Sequence, residues 1–333
     1  MTTSVSRSST PPALDDIQAP VRDGLREVVE ELRRIVSADF PLIGAMNEHL
    51  MHMKGKLFRP TLVLLSSEVE ENSEPRASAL AAIVELVHLA TLVHDDAVDH
   101  SAVRRGMPTL NSLFSHQVSV IMGDFLYSRA MVELVRDGDL EVLRVLANAT
   151  NAMTIGEMRQ LAALDALSFT EDDYEALIRA KTASLISAAC EIGAIAGAPR
   201  YRRSLTRYGE ALGMAFQVVD DLLDYTEPES VTGKPSGLDL REHKVTLPLI
   251  AALRTMPLVA RVEVEALFAT PEPSEMQVGR VRTIVQENAG LEFARQYAEQ
   301  HAAIADASLD GLPETPAVSA LRDAIAYATD RRQ

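Results

Sequence analysis

The stretch Val84-Glu85-Leu86-Val87-His88-Leu89-Ala90-Thr91-Leu92-Val93-His94-Asp95-Asp96-Ala97-Val98-Asp99 decides how this chain folds. Apolar residues fill it almost without interruption until it ends in three aspartates. Such a run, entered through Ser73-Glu74-Pro75, predicts a long helix near 75–99, with the proline in a first turn where its missing N–H is harmless. On a helix, residues four apart stack on one face, about 6 Å apart along the axis. Asp95 and Asp99 therefore point the same way, with Asp96 beside them, and His88 lies on the same stripe. The near-apolar run Ala79 to Val93 carries Glu85 and His88 and is too short to cross a bilayer, so no transmembrane segment is expected.

The same spacing returns in Gly213-Met214-Ala215-Phe216-Gln217-Val218-Val219-Asp220-Asp221-Leu222-Leu223-Asp224, with Gln217 one turn before the acids. A single carboxylate cluster is more often a solvated helix face than a site. Here both clusters end long apolar helices, which places them at a cleft. Carboxylates packed there repel one another and lose hydration unless protons or cations compensate. Oxygen-only ligands on facing helices suit a hard divalent ion, and Mg2+ takes a few carboxylates plus substrate phosphates. The candidate metal ligands are Asp95, Asp96, Asp99, Asp220, Asp221 and Asp224.

Helical periodicity dominates the rest of the chain. The 333 residues are 47% hydrophobic and 24% charged, enough to bury a large core without disulfides or a structural metal. Further long helices are expected near 109–136, 139–164, 171–196 and 201–226. Thr170-Glu171-Asp172-Asp173 reads as a capping box with Asp in place of Glu, Gly197-Ala198-Pro199 as a helix end, and Thr315-Pro316 as the start of the last helix. No Asn-Gly or Asp-Gly hairpin signal, internal repeat or glycine-rich phosphate loop is found. The fold class is all-α: a disordered lead-in over 1–14, then one helical domain over 15–333. The net charge of −16 argues against nucleic acid as a partner. The single cysteine, Cys190, excludes an internal disulfide and a cysteine-based zinc cluster, and suits a cytoplasmic setting.

Cationic residues follow each cluster. Arg104 and Arg105 sit beside the first, and guanidinium binds phosphate oxygens bidentately. Lys234 and Lys244 follow the second in a loop punctuated by Gly233, Pro235 and Gly237. Lys56 and Arg59 form a weaker pair upstream. Lys181-Thr182 lies in a helix otherwise lined by small and apolar residues, where a lysine either snorkels to water or reaches into the cleft. Each of these alone reads equally well as ordinary surface charge.

Together these residues resemble the trans-isoprenyl diphosphate synthases, also called the polyprenyl synthetase family. The resemblance runs from about residue 20 to the C-terminus. Asp95-Asp96-Ala97-Val98-Asp99 is similar to the family's first aspartate-rich motif and Asp220-Asp221-Leu222-Leu223-Asp224 to its second. The resemblance implies an antiparallel helix bundle around a deep central cavity, a homodimer, and three Mg2+ ions bridging the two motifs to an allylic diphosphate. It implies that Arg104, Lys181, Thr182, Gln217, Lys234 and Lys244 hold or neutralise that diphosphate, and that Lys56, Arg59, His88 and Arg105 hold isopentenyl diphosphate. The family usually has Gly-Gly-Lys-Arg-x-Arg-Pro where this chain has Lys54-Gly55-Lys56-Leu57-Phe58-Arg59-Pro60, from which altered loop packing rather than lost binding is expected.

The implied reaction is a head-to-tail prenyl transfer. Short-chain members place a bulky aromatic one turn before the first motif. This chain has Ala90 and Thr91, both small, which leaves the path open for a medium- or long-chain all-trans polyprenyl diphosphate. A farnesyl or geranylgeranyl diphosphate synthase is the alternative. A class I terpene cyclase, or a non-catalytic subunit of a heteromeric synthase, is disfavoured by two intact aspartate clusters. A long product would be very hydrophobic, which admits transient membrane contact at its release, though no amphipathic stretch marks such a surface.

Overall fold

The computed structural model describes residues 12–53, 55–72, 74–104, 106–162, 166–227 and 236–330. Most of the expected lead-in, together with Arg105 and Lys234, lies outside them. Leu14, assigned to the lead-in from sequence, instead opens the first helix. The chain runs α1 (Leu14–Gln18), α2 (Arg22–Val36), α3 (Pro41–His52), α4 (Phe58–Ser67) and α5 (Ala77–Val98). A two-residue hairpin follows, β1 (Val103–Arg104) and β2 (Met107–Pro108), then α6 (Leu110–Leu113), α7 (His116–Asp137), α8 (Leu140–Ala162) and α9 (Glu171–Ile178). A π-helical turn, Arg179–Ala183, joins α9 to α10 (Ser184–Gly197). The remainder is α11 (Arg202–Thr226), α12 (Leu238–Arg241), α13 (Leu247–Thr255), α14 (Leu258–Phe268), α15 (Glu275–Glu287), α16 (Gly290–Ser308) and α17 (Pro316–Thr329).

The all-α reading therefore holds, with instructive local departures. α5 opens at Ala77, so Pro75 sits in the preceding turn rather than in the helix. The segment expected as one helix near 109–136 is two, because the Ser115 hydroxyl accepts from Val118 N and restarts the chain as α7. The Thr170 capping box forms as read: Asp173 N donates to Thr170 Oγ1, and Thr170 N donates back to the Asp173 carboxylate. Gly197 is the last residue of α10, and Thr315 caps α17. The hairpin had no sequence signal because its strands are two residues long and its turn is carried by Gly106 at φ +74°.

α5 extends beyond the apolar run read from sequence. At 22 residues it is long and apolar enough to cross a membrane by composition, yet 67% of its most apolar window is buried inside the protein. Its apolarity serves the core. One core cluster gathers Leu62, Leu65, Leu80, Leu86, Leu126 and Leu146 from α4, α5, α7 and α8, while a second gathers Met214, Leu240, Leu249, Val264 and Ile284 from α11 to α15. α10 packs against α4, α5 and α11, and so lies between the two helices that end in aspartates.

The π-helical turn is clamped on two sides. A Cβ on Gly156 of α8 would lie 3.0 Å from Ala180 Cβ, and one on Gly213 of α11 would lie 2.6 Å from Ala183 Cα. The second contact is with backbone, which cannot swing aside. Gly213→Ala must push α11 off the turn and should destabilise the protein by about 1–3 kcal/mol, the usual penalty of overpacking. Urea unfolding reads this directly, and an unchanged midpoint would show that the two elements separate freely.

Candidate active site

Asp96, the middle member of the first cluster, is 6% exposed and anchored. Arg104 Nε donates to both its oxygens, at 2.8 and 2.9 Å. The hairpin that carries Arg104 is tied back by Ser101 N to Asp96 O at 3.0 Å and by the Thr109 hydroxyl to Ser101 O at 2.6 Å. Asp95 is half-buried and Asp99 exposed, so these two flank the anchor and face the cleft. Burial pushes the Asp95 carboxyl up to about 6; Glu157 and Asp99 push the same way, while Lys181 and Arg104 oppose it. Arg105 lies outside the described residues.

The second cluster repeats this plan with different chemistry. Asp221 is again the buried middle member, 6% exposed. Its oxygens accept from the Tyr174 hydroxyl at 2.5 Å and from Gln217 Nε2 at 2.8 Å. Asp224 accepts from the backbone N–H groups of Leu238 and Asp239, at 3.0 and 3.2 Å, while Asp220 is exposed. The six aspartates thus divide in two. Asp96 and Asp221 anchor their helix ends, and the flanking four are the better placed to meet an ion.

Cations lie between the clusters. The π turn carries Lys181 and Thr182, and such turns re-aim side chains that a regular helix would direct elsewhere. Lys181 Nζ is 2.6 Å from Glu157 and 3.4 Å from Gln160 Oε1, both on α8, and its charge is felt at Asp95. The Thr182 hydroxyl donates to Gln217 Oε1 at 2.6 Å. Lys244 Nζ pairs with Glu242 at 2.7 Å. Burial works against its charge, but Glu242, Asp99 and Asp239 outweigh this and raise its pKa. The influence of Asp99 on Lys244 joins the first cluster to the loop after the second. Lys234 lies outside the described residues.

Arg59 and His88 come together as expected, with Arg59 Nη1 3.0 Å from His88 Nε2. Lys56 is exposed and bonds the Tyr327 hydroxyl of α17 at 3.1 Å. Between them, Leu57 adopts φ +48° at the cap of α4 and packs half-buried against the main core. Thr91 is half-buried one turn before Asp95, its hydroxyl donating to His88 O at 2.8 Å. Ala90 is 2% exposed and packs in the core beside it.

Four residues at the cleft were not singled out from sequence. Glu157 and Gln160 are polar positions on an amphipathic helix, where nothing local separates them from surface residues. Tyr174 looks like ordinary core. Asp239 carried a signal, an acid between Leu238 and Leu240 just after a glycine turn; burial and then Asp224 push its carboxyl up. Among the described residues no three acidic, histidine or cysteine side chains converge tightly enough to hold an ion alone. The donors are nonetheless all oxygens and carry more negative charge than their neighbours offset. That suits a hard divalent cation whose remaining ligands are water and phosphate.

The geometry can be set beside known proteins. Residues 40–285 match the polyprenyl synthetase family model. The chain is 37% identical over 320 residues to an all-trans-nonaprenyl-diphosphate synthase (geranyl-diphosphate specific) of Rhodobacter capsulatus, covering 96% of this chain and 98% of that protein. It is 36% identical over 299 residues to the octaprenyl diphosphate synthase of Escherichia coli, covering 84% and 87%. Its fold superimposes with a TM-score of 0.92, at 32% identity, on a Caulobacter crescentus polyprenyl synthase crystallised with calcium and isoprenyl diphosphate, covering 98% of this chain and all of that one.

The Asp95 shift gives a pH test with a definite sign. Its carboxyl titrates at about 6 when folded against 3.8 for a free aspartate, so its ionisation opposes folding as pH rises through that window. In protein kept free of divalent ions, Asp95→Asn should be more stable than wild type near pH 7, with the gap narrowing as pH falls below about 6 and closing near 3.8. A gap that does not change with pH would show that Asp95 is not desolvated.

Proposed function

The chain belongs to the polyprenyl synthetase family, and from its cleft we infer a Mg2+-dependent prenyltransferase that joins isopentenyl diphosphate head to tail to an allylic diphosphate, extending it to a medium- or long-chain all-trans product. One observation carries this reading: two aspartate clusters end α5 and α11 at one cleft, with Lys181, Thr182 and Lys244 between them. Asp95, Asp99, Asp220 and Asp224 would hold Mg2+, three ions by family expectation, and bound Mg2+ supplies neutralisation of charge developing on the leaving diphosphate.

The chain's own residues do the remaining work. Lys181, Thr182, Gln217, Lys234, Lys244 and Arg104 hold the allylic diphosphate so that its charge is stabilised as the carbon–oxygen bond breaks. Lys56, Arg59, His88 and Arg105 hold isopentenyl diphosphate with its double bond facing the allylic carbon. The new carbon–carbon bond forms there and a proton is lost, with the released diphosphate as the base. No protein nucleophile is required; the protein aligns the partners and excludes water.

A homodimer in the cytoplasm is part of the same proposal. An exposed apolar stripe, Ile121, Val132 and Val135 on α7 with Ile155 and Met158 on α8, supports a second copy as its cover. The single cysteine, Cys190, is buried, with its thiol pushed up to about 12 by burial, and suits a reducing compartment. A hydrophobic product allows transient membrane contact at release.

The test is incubation of the full chain with isopentenyl diphosphate, farnesyl diphosphate and Mg2+, with products sized by mass spectrometry. Products longer than geranylgeranyl diphosphate, abolished by chelation of Mg2+, are expected. Phe at Ala90 or Thr91 should shorten them. Accumulation at farnesyl or geranylgeranyl diphosphate would keep the reaction and overturn the chain length, whereas absence of any elongation would overturn the reaction.

A further inference from the structure

Among the described buried polar groups to which the reaction gives no task is the hydroxyl of Tyr174. This side chain is 2% exposed, among the apolar residues of the second core cluster, and its hydroxyl donates to Asp221 at 2.5 Å. The other Asp221 oxygen accepts from Gln217, and Gln217 accepts from Thr182. One chain of hydrogen bonds, Tyr174–Asp221–Gln217–Thr182, therefore ties α9, the aspartate-bearing end of α11 and the π turn together.

The π turn makes this chain geometrically feasible. Tyr174 and Thr182 are eight residues apart, and in a regular helix such residues face directions about 80° apart. A π turn absorbs one extra residue, so both side chains reach α11. Lys181 rides on the same turn.

The two anchors also differ in their partners. Asp96 is held by a guanidinium, which neutralises it. Asp221 is held instead by two neutral donors, a phenol and an amide. A phenylalanine at position 174 would leave the buried carboxyl group of Asp221 short of a partner.

We propose that Tyr174 is a positioning residue acting through Asp221: it holds Asp221 in the cleft wall, and so sets where Asp220 and Asp224 present their oxygens relative to Lys181 and Thr182. This rests on the reading of the cleft as a Mg2+-dependent diphosphate site. The experiment compares wild type, Tyr174→Phe, Asp221→Asn and the double variant. Turnover, the Mg2+ concentration for half-maximal rate, and Mg2+-dependent binding of inorganic diphosphate by calorimetry are measured for each. Tyr174→Phe should lower turnover and diphosphate affinity about tenfold or more, as loss of an outer support of a metal site does, and should raise the Mg2+ requirement. KM for isopentenyl diphosphate should stay unchanged. Because Tyr174 acts through Asp221, the double variant should match Asp221→Asn alone.

A tyrosine that merely fills the core would lower the unfolding temperature and leave the Mg2+ requirement at its wild-type value, which overturns the proposal. So does a double variant about tenfold or more worse than Asp221→Asn, since independent effects multiply. If Tyr174→Phe does not fold, the double variant, in which no charge is left unpaired, decides in its place. An active wild type with Tyr174→Phe indistinguishable from it removes this inference and leaves the proposed function standing.

Discussion

Two carboxylates, Asp96 and Asp221, lie buried at the ends of apolar helices, and the rest of the cleft is arranged around what that requires. A buried charge without partners is expensive, so each has a dedicated set. Arg104 comes from a hairpin built just beyond α5, while Tyr174 and Gln217 come from α9 and α11. Those partners fix the helix ends in space. The exposed neighbours Asp99 and Asp220, one on each helix end, are then aimed into the cleft by helical geometry alone.

The excess of acid is a tension the protein does not relieve by itself. Burial and like charge raise Asp95, Asp221 and Asp239 together, and Lys181 and Lys244 offset this only in part, each already paired with a glutamate. A site so poised favours added cations and, with them, a polyanion. On the proposed function, binding of Mg2+ and diphosphate would be coupled: the aspartates would hold the metal, and Lys181 and Lys244 would exchange their glutamate partners for the diphosphate.

The close approaches around the π turn give this arrangement its precision. Gly156 and Gly213 let α8 and α11 press against the turn from two sides, so that Glu157 meets Lys181 and Gln217 meets Thr182. α10, continuing from the turn between α4, α5 and α11, connects this region to both aspartate-bearing helices. Movement of the turn would therefore shift the lysine and the second cluster as one body.

Local pattern was sufficient for the helices, because apolar spacing, the Thr170 and Thr315 caps and the glycine at 197 are short-range signals. It was sufficient for both aspartate clusters, because i, i+4 geometry puts Asp95 with Asp99 and Asp220 with Asp224 on one face wherever the helix goes. It also grouped Arg59 with His88, through likeness to a family. Among the six candidate ligands, tertiary structure buries Asp96 and Asp221 and leaves Asp99 and Asp220 exposed, since burial depends on what packs against a helix end. The two-residue hairpin, the π turn and the roles of Glu157 and Tyr174 were out of reach. Each depends on a partner at least a helix away or on a backbone departure that carries no composition of its own. Sequence determined which chemistry the chain carries; the packing of α9, α10 and α11 decided which atoms are left to perform it, because hydrogen bonds and desolvation are set by neighbours in space.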